Sequence, residues 1–244
     1  MLAANVYSHH KFGHAFEGAP PPHVSYIVCS MPRSGSSLLC DVLAGTELAG
    51  APTEYFDRNQ MEAFQREWGA PTVEDYLSAL VSKKTSLNGV FGVKAHFHQL
   101  RDALGDRGLD DLFPDLHLIY IARRDHVRQA VSWARAIQTG QWASDHPVRE
   151  GEPRFDPALL RDLLGRIERE ERDWQRFFES RGAEPLRIDY EELTGAVNQT
   201  VLRVLAFVGV PVPDGFEPPR PTIERQADAL SEEWVRRYAA NPDA

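Results

Sequence analysis

The stretch that most restricts how this chain can fold lies near its start. Tyr26-Ile27-Val28-Cys29 is an apolar run of strand length, and it leads through Pro32-Arg33-Ser34-Gly35-Ser36-Ser37 into Leu38, Leu39, Val42 and Leu43, which recur at helical spacing. A strand at about 25–30, a glycine-containing turn and a helix through about 44 form the opening of a βα unit, the device that links parallel strands. Further strand signals follow at Gly92-Val93-Lys94-Ala95, Leu116-His117-Leu118-Ile119-Tyr120-Ile121 and Leu186-Arg187-Ile188-Asp189-Tyr190. Between them the apolar spacing predicts helices over Asp57 to Trp68, after a cap at Thr72, over about 126–138, from Leu160 to Phe178 and from Val201 to Val208, with a short one near Glu232. Strands alternating with helices imply an α/β fold, a parallel sheet with helices on both faces, and ligands in such folds bind beyond the carboxyl ends of the strands.

At 244 residues the chain suits one such domain, expected over 24–244. Residues 1–23, with His9, His10, His14, His23 and Pro20-Pro21-Pro22, read as a flexible leader, without the apolar run of a secretory signal. No later run is long enough to span a bilayer. With 27 basic against 36 acidic residues the net charge is −9, which argues against a nucleic-acid partner because phosphate affinity is built from surplus Lys and Arg. The only cysteines, Cys29 and Cys40, fall in the first strand and the helix after it, so no disulfide framework is expected and the location reads as cytoplasmic.

The turn at 32–37 has the chemistry of an anion site. A helix start leaves N–H donors unsatisfied and carries partial positive charge; Gly35 admits close approach, Ser34, Ser36 and Ser37 add hydroxyls, and Arg33 adds a planar cationic fork. A serine-capped helix start is the structural alternative. An ATP loop would supply Gly-Lys-Ser/Thr, a tripeptide absent from the sequence, so a single terminal phosphate suits this shorter loop better. Arg124 and Ser132, eight residues apart across a strand-to-helix junction, suggest a second anion site, with a surface Arg and an incidental Ser as the alternative. Two such sites flanking an adenine would describe a 3′,5′-bisphosphorylated adenosine.

The loop, the Arg124-to-Ser132 spacing and Tyr190-Glu191-Glu192-Leu193 together resemble the sulfotransferases that use 3′-phosphoadenosine 5′-phosphosulfate (PAPS). The segments "PRSGSSLLC", "PTEYF", "RRDHVRQAVSWARAIQTGQW" and "IERQADALSEEW" are similar to the trehalose 2-sulfotransferase family over about residues 25–238. The resemblance implies the sulfotransferase fold, a P-loop-like parallel sheet flanked by helices, and PAPS as co-substrate with the bisphosphate PAP as product and no metal. It further implies that Arg33, Ser34, Gly35, Ser36 and Ser37 hold the 5′-phosphosulfate and Arg124 and Ser132 the 3′-phosphate, with Tyr190, Arg225 and Gln226 near the nucleotide. Glu54 matches the proposed general base and Arg33 acts on the transferring group. A carbohydrate or glycolipid acceptor is implied, and a homodimer fits the family.

For the acceptor, Tyr55, Gln138 and Trp142 join Glu54 as candidate contacts, with Trp133 divided between that role and core packing, and the loop from Gly140 to Asp156 is long enough to close over a sugar. His96 and His98, on one face of an extended strand, rival Glu54 as base or could share a metal; Lys94 is either a cleft charge or a strand-end cation. An ATP-dependent small-molecule kinase and a non-catalytic nucleotide-binding module are the competing functions.

Overall fold

A computed structural model describes residues 16–105, 108–142, 152–224, 226 and 228–241. Four strands form one wholly parallel sheet in the order β2-β1-β3-β4: β1 Val24–Ser30, β2 Val90–His96, β3 Leu116–Ala122 and β4 Leu186–Asp189. The strand order reverses at β1, which has β2 on one side and β3 on the other, so the crevice at its carboxyl end is the switch point where ligands of such sheets bind.

All seven β1 residues are buried, as a strand covered on both faces requires. Their alternation sends Ile27 and Cys29 into one core and Tyr26 and Val28 into the other. The first core is filled from α2 (Arg58–Trp68), α3 (Val73–Lys84) and α4 (Phe97–Leu104) by side chains such as Phe64, Tyr76, Leu80 and Leu100, with Trp174 and Phe178 arriving from the long α7 (Pro157–Arg181). The short α5 (Leu109–Leu112) closes its edge through Leu109. The second core lies under α1 (Ser36–Gly45), α8 (Tyr190–Gly195) and α9 (Val197–Phe207), through Leu39, Leu43, Leu193, Val201 and Leu205. A third cluster joins α6 (His126–Thr139) to α7 and α10 (Ala229–Ala240) through Val131, Leu163, Trp234 and Tyr238. Trp133 belongs to it, which decides for core packing.

Caps set the helix boundaries. Asp57 accepts from the N–H groups of Asn59 and Gln60 at the start of α2, and Thr72 accepts from Asp75 N–H at the start of α3. Three helices differ from the sequence expectation. The strand signal at 186–190 stops one residue early, where Tyr190 opens α8, and α4 and α5 occupy segments for which no helix is expected from the apolar spacing. As a result His98 is helical and does not share a strand with His96; the Gln99 side chain accepts from His96 N–H at 3.0 Å and turns the chain into α4. Within the segment expected as a leader, Phe16 N–H donates to Lys83 O and His23 N–H to Gly89 O. Residues 1–15, and 143–151 of the expected closing loop, lie outside the described residues. Among the described residues no helix is long and apolar enough to cross a membrane.

Gly92 stands opposite Tyr26 in the β1–β2 register, and a methyl group there would overlap the Tyr26 ring, whose hydroxyl is anchored to Ala49 O at 2.8 Å. Gly92→Ala is expected to destabilise the fold by about 1–3 kcal/mol through overpacking. Thermal unfolding checks this: an unchanged Tm would show that the ring moves aside at no cost.

Candidate active site

The turn after β1 is held in a shape few residues adopt. Arg33 (φ 64°) and Gly35 (φ 89°) both lie in the left-handed region, which costs a side-chain-bearing residue and is open to glycine. Gly35 is required for space as well, since a Cβ there would sit 2.6 Å from the Tyr190 ring. Helix α1 starts immediately after it with no side-chain cap; Leu38 N–H turns back to Gly35 O, and among the described residues no side chain accepts from the N–H groups of Ser36 and Ser37. Gly35, Ser36 and Ser37 line a cavity whose walls carry Arg33, Arg123, Arg128 and Arg135, with Tyr190 and Trp142 as aromatic surfaces. Four guanidinium groups stand around one cavity, with Glu224 also on its lining, in a chain of net charge −9.

Arg33 spans this cavity. Its Nε donates to Ser132 Oγ at 2.9 Å, and its terminal nitrogens donate to Trp142 O and to Gln226 Oε1. The structure thus joins Arg33, Ser132, Trp142 and Gln226, four residues that the sequence reading spread over donor and acceptor ends. Gln129 Nε2, donating to Pro32 O at 2.8 Å, fastens the turn to α6. Arg124 does not line the cavity; its side chain is 68% exposed, with Nε 3.5 Å from both Asp189 and Glu191. Its neighbour Arg123 is buried instead and lies 4.4 Å over the Tyr190 ring, as adjacent residues leaving a strand point to opposite sides. Arg128 is held by Glu232 at 2.8 Å and Arg135 by Asp228 at 2.8 Å, which ties α10 to α6. The hydrogen bonds from Arg135, opposed by desolvation and helped by the Ser231 N–H, take the Asp228 carboxyl down to about 2.

Glu54 lies on the other side of Ser37. The segment before α2 is pinned to β2 by Lys94 N–H donating to Thr53 O at 2.9 Å, and Glu54 is buried beside it. One carboxylate oxygen is 2.6 Å from Lys94 Nζ; the other accepts from Gln99 Nε2 at 2.9 Å and lies 3.6 Å from His96 Nε2. Burial alone would raise the Glu54 pKa, but the Lys94 ammonium, His96 and the hydrogen bonds from Gln99 and Lys94 outweigh it and bring it down from 4.5 to about 2. His96 is shifted the other way, its burial outweighing the pull of Glu54, so the neutral ring is favoured. Lys94 Nζ also donates to Ser37 Oγ at 3.0 Å and so connects the buried acid to the cavity floor.

The remaining candidates fall elsewhere. Tyr55 is a core residue, fully buried, with its hydroxyl donating to Ala51 O and its ring against Phe64. Gln138 is off the cavity, bonded to the backbone of Arg154. Arg225 lies outside the described residues. Among the described residues no group of three or more His, Cys, Asp or Glu side chains is arranged to hold a metal ion. Arg123, Arg128 and Arg135 are wall residues the sequence reading did not single out, although the first is signalled by the Arg-Arg doublet.

The family model of the Stf0 sulphotransferases matches residues 25–241. The chain belongs to that family. It is a sulfotransferase, and two relatives support the assignment. The trehalose 2-sulfotransferase of Mycolicibacterium smegmatis is 33% identical over 254 residues, spanning 88% of this chain and 94% of that protein. The trehalose 2-sulfotransferase of Mycobacterium tuberculosis is 30% identical over 255 residues, with the same shares covered. Among solved structures, the sulfotransferase domain from the curacin biosynthetic pathway is similar at 16% identity and a TM-score of 0.45, covering 91% of this chain and 99% of that one.

The depressed pKa of Glu54 sets a direction for the stability of this sulfotransferase. Because the folded value lies below 4.5, the carboxylate's contribution is complete above that pH and is lost as the pH falls toward about 2. The difference in unfolding free energy between the wild type and Glu54→Gln should therefore narrow across that window in denaturant titrations. A difference that stays constant would show that the ion pair with Lys94 contributes nothing to folding.

Proposed function

We propose that this enzyme transfers a sulfuryl group from PAPS to a hydroxyl of a carbohydrate or glycolipid, with the 2-position of trehalose or a related glycoside as the favoured acceptor. The observation that carries the reading is the cationic cavity over an uncapped helix start, joined through Ser37 and Lys94 to a buried carboxylate. Ser34 Oγ adds to the fit, being fully buried and without a hydrogen-bond partner among the described residues. The acceptor class rests on the two trehalose 2-sulfotransferases to which the chain is similar.

In this reading Arg33, Ser34, Gly35, Ser36 and Ser37 hold the 5′-phosphosulfate. Ser132 takes the 3′-phosphate with the cations of the β3–α6 junction; Arg123 and Arg128 already stand on the wall, and Arg124 joins them by leaving its exposed contacts with Asp189 and Glu191. Tyr190 and Gln226 border the nucleotide, together with Arg225, and Trp142 faces the acceptor. The acceptor oxygen forms its bond to sulfur as the sulfur–oxygen bond to the 5′-phosphate breaks. The electron pair leaves with that phosphate as PAP, and the hydroxyl proton passes to the Glu54 carboxylate. A sulfuryl group carries less charge than a phosphoryl group, so N–H donors and Arg33 serve without a metal. The two cysteines are buried free thiols, which suits a cytoplasmic enzyme, and a homodimer is part of the same proposal.

Calorimetric titration with PAP, adenosine 5′-phosphate and ATP, each with EDTA and with magnesium, tests the donor. PAP should bind tightly in either medium and the others weakly, whereas preference for magnesium-ATP would indicate a kinase. With PAPS and trehalose, Arg33→Ala should lower kcat by about 10²-fold or more, the size of losing one donor to the developing charge. Glu54→Gln should lower it by about 10²- to 10⁴-fold while PAP binding persists. PAP binding without turnover on a panel of sugars would favour a non-catalytic module.

A further inference from the structure

Lys94 has no function in the scheme above, yet it is the residue through which the acid and the donor loop meet. Val93 and Ala95 pack into the core under α2 and α3, so alternation along β2 sends Lys94 to the α1 side, where Ser37 begins its first turn. The side chain is 5% exposed, and its ammonium is divided between Glu54 Oε1 at 2.6 Å and Ser37 Oγ at 3.0 Å. The loop itself has no lysine, and Lys94, arriving from the adjacent strand, supplies the ammonium bonded to its last serine. An ammonium has three donors and one charge to share.

We propose that Lys94 is a positioning residue shared between Glu54 and the anion bound by the loop, so that filling the loop with donor loosens its hold on Glu54 and strengthens that carboxylate as a base. This rests on the donor reading given above. An anion seated on Gly35, Ser36 and Ser37 reaches the same hydroxyl to which Lys94 donates, and it competes with Glu54 for an ammonium that is itself buried, where charges interact more strongly than in open water. Gln99 stays behind to keep the carboxylate aimed. Asp57 at the start of α2, Glu170 on α7 and His98 on α4 also act on this cluster. In the empty enzyme the carboxylate is a weak base tied to a lysine, and it becomes a competent one once the donor is present. Proton abstraction is thereby tied to the presence of a group to transfer.

Coupling between two sites is reciprocal: if donor takes Lys94 from Glu54, removing the Glu54 charge must favour donor. The test is calorimetric titration of PAP into the wild type, Glu54→Gln, Lys94→Met and the double variant. Glu54→Gln should bind PAP about fivefold tighter than wild type or better, within the usual range of such couplings. In the Lys94→Met background the same change should alter affinity by less than about twofold, so that the two effects are not additive. Should Lys94→Met alone fail to fold, because it buries Glu54 without its ammonium, the double variant, neutral at both positions, still decides. It must bind PAP at least about tenfold more weakly than Glu54→Gln. A purely structural lysine would give no tightening in Glu54→Gln. An equal gain in both backgrounds, or a double variant that binds like Glu54→Gln, overturns the role of Lys94 alone. A wild type that does not bind PAP overturns the donor reading and this inference with it.

Discussion

The end of the central strand is fixed by one carbonyl. Ser30 O, the last acceptor of β1, takes the Trp174 indole N–H at 3.1 Å and lies 3.1 Å from His96 Nδ1. A buried carbonyl without partners is costly, and here two side chains from distant elements satisfy it. The arrangement determines where the sheet stops and the anion turn begins. It orients His96 so that its other nitrogen faces Glu54, and it seats α7 against β1 through a fully buried Trp174. Both halves of the proposed chemistry are therefore measured from the same atom.

Charge is organised around this frame on two scales. The chain is acidic on balance, which leaves the cavity's four arginines as a local exception rather than part of a basic face. The acidic partners of Arg128 and Arg135, Glu232 and Asp228, lie at the start of α10, so two of these arginines also attach the helix that walls the cavity. Exposed ion pairs contribute little stability one at a time. The firmer attachment of α10 is apolar, through Trp234 and Tyr238 against α6 and α7.

Much of this was legible in the sequence because it is local. The β1 run, the glycine turn and the spacing of Leu38, Leu39, Val42 and Leu43 are neighbours in the chain, and β1 and α1 fall within a residue or two of their expected limits. Glu54 was singled out only through the family resemblance of a five-residue segment, and its burial could not be read from the residues around it. What escaped depends on parity or on distance. Arg123 and Arg124 are alike in composition, and only the twist at the end of β3 decides which one turns inward. Tyr55 looks like a sugar-stacking ring until Phe64 packs against it and the Tyr76 hydroxyl donates to its carbonyl. Lys94 had two equal readings because its contacts are with Ser37 and Glu54, 57 and 40 positions away, and no periodicity within β2 records them.

The bond from Lys94 N–H to Thr53 O has a consequence beyond the site. Strand β2 is one margin of the sheet, and an uncovered margin offers a row of free backbone groups to any passing extended chain. Here that margin is overlaid by the segment around Gly50 to Thr53, where a side chain at Gly50 would meet the backbone of Val90 and Gly92. The stretch that carries the acid thus also shields the sheet from self-association. Protection of the sheet edge and the proposed chemistry therefore depend on the same few residues, and a change that loosens Glu54's segment risks both at once.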